Sequence, residues 1–134
     1  MKNLILILLA GAVSYGGYYH YNRPVEEPVI DDTLKEYVSE WKDIEYITAI
    51  YEYTDGDDRI GGINRLNKTI EVKANYAPEI IRCVVYHELG HYVLRLRHSE
   101  DGEIMSTAIR TYDPDYYGVN WPTLVDTYFD SYLK

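Results

Sequence analysis

Three of the chain's four histidines fall within one short stretch, HELGHYVLRLRH, from His87 to His98. His87 and His91 are four apart, so on a helix they stand one above the other and can hold a single ion between them. Neutral imidazole is a good ligand for zinc, at a Zn–N distance of about 2.0–2.1 Å. Glu88 follows the first ligand, where its carboxylate can take a proton from water that such an ion acidifies to a pKa of about 7. Gly90 leaves room for a neighbouring element or a substrate backbone to come close. The plain alternative is a metal-free helical scaffold whose histidines merely happen to share a face.

Two imidazoles do not complete a zinc site, and His98 is the next donor along the chain. Were the helix continuous, the seven residues from His91 to His98 would turn it almost twice and point it the right way. They would also raise it about 10 Å, too far to share an ion. The helix must therefore end near Leu94 to Arg97 and the chain must fold back. Arg95 and Arg97 suit such an end, where cations meet exposed carbonyls. Glu100, Asp101 and Glu103 compete for the place, since a carboxylate also serves as a zinc ligand.

From His87 to Ser106 the chain resembles the metzincin class of zinc metallopeptidases, whose pattern is H-E-x-x-H-x-x-G-x-x-H followed by a methionine turn. HELGHYVLRLRH and then SEDGEIMS carry these parts in order. More narrowly, the stretch is similar to small metallopeptidases of bacterial and phage origin with HELGH, a third histidine and an Ile-Met turn. The resemblance implies His87, His91 and His98 as metal ligands, Glu88 as catalytic base and Met105 as the methionine of the turn. It implies a peptide or protein substrate in a cleft between the metal helix and an edge strand, sought between Arg59 and Ala74. Tyr112, near the turn, matches a tyrosine that some members use to polarise the substrate carbonyl or steady the oxyanion. The chain departs from the pattern twice: the gap from His91 to His98 is one residue longer, and Leu94 and Arg95 stand where a glycine ends the helix.

The elements that must position these residues read as an α+β domain, a minimal zincin in the terms of the resemblance. Leu34, Tyr37, Val38 and Trp41 lie on one helical stripe, with Thr33 and Glu36 as a capping box. Residues 44–53, IEYITAIYEY, are β-branched and aromatic with apolar groups on both faces, a strand central in its sheet. Asp55-Gly56-Asp57-Asp58 is a turn; the spaced acidic ligands and distant glutamate of a calcium loop are missing. A strand near Arg59 to Asn64 carries Gly61-Gly62, a sign of a bulge or close backbone approach. After a turn at Asn67-Lys68, Ile70, Val72 and Ala74 alternate with polar residues as a one-sided strand. Pro78 and Glu79 open the metal-bearing helix. Asn120 reads as the cap of a last helix with Trp121, Leu124, Val125, Tyr128 and Tyr132 on one stripe.

With 134 residues the chain has room for one compact domain. A net charge of −9 without a basic stripe argues against nucleic acid as a partner. The single cysteine, Cys83, excludes an intramolecular disulfide and reads as an inert buried thiol. Sixteen tyrosines against one phenylalanine suit a small core close to solvent, because tyrosine buries a ring and keeps a polar tip. At the start, Lys2 and the apolar run Leu4 to Val13 match a secretory signal, with Ala10-Gly11-Ala12 as a small-residue cleavage site. Extended through residues 4–19, the same run would be an uncleaved membrane anchor. The expected organisation is a signal or anchor over 1–20, a proline-containing tether over 21–30 and the folded domain over 31–134, exported or facing outward from a membrane. A non-catalytic, membrane-tethered zinc-binding module is the rival to a peptidase. Such a structural site would close with a fourth ligand from Glu100, Asp101 or Glu103.

Overall fold

The computed structural model describes residues 28–41, 47, 49–52, 59–73 and 75–133. The expected signal or anchor, the tether up to residue 27, the Asp55–Asp58 turn and most of the first half of the strand at 44–53 lie outside the described residues. Those described form an α+β fold with three helices and one four-stranded mixed sheet. In chain order the elements are β1 (Val29–Ile30), α1 (Lys35–Val38), β2 (Ala49–Glu52), β3 (Gly61–Asn64), β4 (Thr69–Val72), α2 (Pro78–Tyr92) and α3 (Pro114–Leu133). No helix among them is long and apolar enough to cross a membrane.

The sheet order is β1-β2-β4-β3. β2 pairs in parallel with both β1 and β4, which makes it an interior strand, as its two apolar faces require. β3 runs antiparallel to β4 and forms one edge. Ile50, Ile70 and Val72 are fully buried, so the inner face of the sheet is apolar, and α2 packs against β3 and β4. Val29 and Ile30, expected at the end of a tether, are instead a strand paired with Ala49 and Ile50. The folded part therefore begins before residue 31.

Two expected caps are corrected. Thr33 forms no capping box: its hydroxyl donates to the Glu52 carboxylate, and the Glu52 amide donates to Asp31 Oδ2 at 2.8 Å. These polar groups tie the helix entrance to the end of β2, and the helical turns stop at Val38. The last helix starts six residues before Asn120. Asp113 caps it, accepting from the Tyr116 amide at 3.3 Å, and Pro114 takes the first helical position, where its missing N–H costs nothing. Asn120 lies inside the helix and donates to the Tyr116 carbonyl. The stripe nevertheless faces inward, with Leu124 and Tyr128 buried and Trp121 and Val125 half-buried.

α2 is buried almost all round, from Cys83 to Gly90 without a break. Ala77 before Pro78 is extended, as the residue preceding a proline should be. Cys83 is fully buried, and burial pushes its thiol up to about 12, so it is inert. The buried tyrosines keep their tips bonded: Tyr86 donates to Glu40 at 2.6 Å, Tyr128 to the Tyr86 carbonyl at 2.7 Å, and the Tyr117 hydroxyl accepts from the Arg110 amide. Trp41 packs edge-on against Tyr86 and Tyr128, closing the core where α1 meets α2 and α3.

Candidate metal centre

His87 and His91 stand on one face of α2, and the helix ends at Tyr92, directly after the second of them. Beyond it Arg95 takes φ +58°, the left-handed conformation usually left to glycine. The Leu96 amide then bonds back to the Gly90 carbonyl at 3.0 Å. That closure spans six residues, one more than the five of a Schellman ending. Arg95 thus does the turning expected of a glycine, in a loop wider by one residue, and His98 comes back over the helix. Left-handed backbone costs a residue with a side chain about 1–2 kcal/mol, and glycine gives back about 0.5–1 kcal/mol in chain entropy. Arg95→Gly should therefore raise the stability of the metal-free protein by up to about 1 kcal/mol, read as a higher midpoint in urea. A lower midpoint would mean that the arginine side chain does more than tolerate the turn.

The three imidazoles converge. His91 Nε2 lies 3.2 Å from His87 Nε2 and 3.1 Å from His98 Nε2. Tetrahedral nitrogens about 2.0–2.1 Å from one ion stand about 3.3–3.4 Å apart, so the donor set fits zinc. His87 Nδ1 donates to the Ile104 carbonyl at 2.7 Å and His91 Nδ1 to the Leu96 carbonyl at 2.8 Å. With Nδ1 carrying the proton, each Nε2 keeps its lone pair for a metal, and the ring orientation is held from behind. Among the described residues these three histidines are the group able to hold an ion. Glu100, Asp101 and Glu103 fall outside that group; Asp101 pairs with Arg110 at 3.1 Å, and Glu103 accepts from the Glu100 amide.

The same loop supplies the packing behind the helix. Met105 is buried, and a Cβ on Gly90 would meet its sulfur at 2.6 Å and the Tyr128 hydroxyl at 3.0 Å. Gly90 is therefore the point where the turn and α3 both press against α2. Gly61 makes a second close approach. A Cβ there would lie 2.7 Å from Val84 and 3.0 Å from Glu88 Oε1. Gly61 lets the edge strand lie against α2, with the Glu88 carboxylate between them.

A cleft of about 340 Å³ runs between β3 and the Ser106–Ile109 segment, with His87, Glu88, His91 and His98 along it. Tyr112 does not line it and is 82% exposed. Burial pushes the Glu88 carboxyl up to about 7, against the pull of Arg59. Burial pushes His87 down to about 4, with the Ile104 carbonyl opposing and the other histidines adding a little. His91 is lowered too, by burial first, with the Leu96 carbonyl opposing. Neutral imidazoles are the form that binds metal.

These shifts oppose one another in the metal-free protein. Between about pH 4 and 6.5 the unfolded chain binds the His87 proton and the folded one does not, so this group's stability is lost as pH falls. Between about 4.5 and 7 the folded chain holds the Glu88 proton, so this group's stability is lost as pH rises. Glu88 offsets His87, while His91 adds to it. Wild type stripped of metal should therefore lose less stability than Glu88→Gln on acidification from about pH 6.5 to 4.5, the difference being about 2–3 kcal/mol. Thermal melts in chelator at several pH values would show it, and parallel curves for the two proteins would contradict it.

The backbone carbonyls of Leu96 and Ile104 had no signature in the sequence, because any residue type offers a carbonyl. Comparison with protein-family models, with curated proteins and with solved structures finds no match for this chain.

Proposed function

We propose that the chain is a zinc-dependent peptidase of minimal zincin type. The observation that carries the reading is a three-nitrogen site beside a carboxylate that is no part of it, in a cleft bordered by an edge strand. Catalytic zinc sites keep three protein ligands and an open position, whereas structural sites close with four. A non-catalytic module would need a fourth ligand, and Glu100, Asp101 and Glu103 all lie outside the three-histidine group.

His87, His91 and His98 would hold the ion. Zinc, when bound, supplies Lewis acidity, bringing the pKa of water to about 7 and polarising a carbonyl. Glu88 takes the proton of the attacking water on its carboxylate and later hands it to the leaving amine. Its burial favours this, because a carboxyl whose affinity for protons is raised toward neutrality both accepts and releases one. β3, an edge strand among the described residues, would take an extended substrate as an added strand. The apolar run from Leu4 to Val13 supports export or attachment to a membrane.

The reading is tested by elemental analysis of protein purified without added metal, together with cleavage of an unfolded protein. One zinc per chain and chelator-sensitive cleavage are expected. A folded protein that takes up no zinc would sink the proposal, and one zinc without cleavage would favour the binding module.

A further inference from the structure

The protein carries −9, yet among the described residues the one carboxylate lining the cleft is the buried Glu88. Two arginines bracket the edge strand: Arg59 two residues before β3 and Arg65 directly after it. They are not equivalent. Arg59 reaches Glu71 on the neighbouring strand at 3.4 Å. Arg65 folds from the strand end across to the end of α2, where its Nη2 lies 3.4 Å from the His91 carbonyl and its guanidinium 5.5 Å from the centre of the Tyr92 ring. Among the described residues no carboxylate is paired with Arg65, and its side chain is exposed. Arg65 does not itself line the cleft; it spans strand and helix at the cleft's border, held against His91, which does line it.

A guanidinium held this way has donors to spare. The bond to His91 is long and uses one nitrogen, and the ring beneath keeps the planar group oriented. An extended peptide lying along β3 would run past it. Paired forks of guanidinium and carboxylate are the strong form of this contact, and a divalent ion nearby adds attraction for the same charge.

We propose that Arg65 binds a carboxylate of the ligand in the cleft, so that the site selects acidic peptides. This rests on the peptide-binding part of the function proposed above and not on turnover. The carboxylate has two possible sources, an internal Asp or Glu side chain or the peptide's own C-terminus.

The test uses the full chain loaded with zinc and short fluorescent peptides read by anisotropy in 0.15 M salt. Three otherwise identical peptides separate the sources: one with glutamate and an amidated end, one with glutamine and an amidated end, and one with glutamine and a free end. A carboxylate peptide should bind about two- to five-fold more tightly than the amidated glutamine peptide. Preference for the first peptide assigns a side chain, and preference for the third assigns a chain end. Arg65→Ala should erase the preference while leaving zinc content and glutamine-peptide affinity unchanged. Arg65→Lys should keep part of it, and Arg65→Glu should reverse it. A preference that survives in Arg65→Ala, or equal binding of all three peptides by wild type, overturns the proposal. Selective binding of peptides that wild type never cleaves would leave Arg65's role standing and remove the peptidase reading.

Discussion

Glu88→Gln should keep one zinc per chain and lose hydrolysis by about 10²–10⁴-fold, the usual worth of a positioned general base. The argument is geometric. Glu88 is one residue on from His87, so it leaves α2 at a different angle and lies against Gly61 of the edge strand, outside the three-nitrogen group. Glutamine preserves the volume between helix and strand, so the cleft should keep its shape. What disappears is the atom that accepts a proton. The measurements are metal content by elemental analysis and kcat and KM on a peptide; under the proposed mechanism the loss falls on kcat, because the missing proton transfer belongs to the transition state. A variant that cleaves at near the wild-type rate would move Glu88 out of the mechanism. One that loses zinc would make it a ligand.

His98→Ala should weaken zinc binding by more than about 100-fold, while Asp101→Ala and Glu103→Ala leave it nearly unchanged. Removing a partner that only orients a ligand costs about 10–100-fold, so removing the ligand itself costs more. His98 is exposed at the end of the fold-back loop, with its Nε2 3.1 Å from that of His91. Its truncation removes a donor without opening the core. Asp101 is engaged with Arg110 at the surface, and exposed pairs of this kind contribute about 0–1 kcal/mol. Competition with a fluorescent chelator would rank the variants. If a carboxylate variant loses the metal and His98→Ala retains it, the ligand set is wrong and the site belongs to a different kind of zincin.

What was legible in the amino-acid sequence was periodic or chemically rare. The spacing of His87 and His91 requires only a helix, because four residues bring two side chains to one face whatever surrounds them. The central strand around Ala49 to Glu52, the one-sided alternation at Ile70 and Val72 and the proline at the head of α2 are local patterns of the same kind. The need for the chain to fold back before His98 also followed from helix rise alone.

The folded structure decided the rest, in each case through a partner that no sequence period marks. Thr33 had the spacing of a cap, but a carboxylate at the end of β2 was a better partner for its hydroxyl. Val29 and Ile30 looked like the end of a tether because two residues show no period, and only β2 beside them makes them a strand. α3 starts at Asp113-Pro114 rather than at Asn120, and the buried Tyr117, one turn before Trp121, already extends the inward stripe. Arg95 turns a corner that the sequence pattern reserves for glycine, because the bond from Leu96 to Gly90 closes a wider loop. The orientation of His87 and His91 comes from carbonyls of Ile104 and Leu96, groups that every residue carries and no sequence can mark. Tyr112 had a plausible position along the chain, and the fold turns it out to solvent.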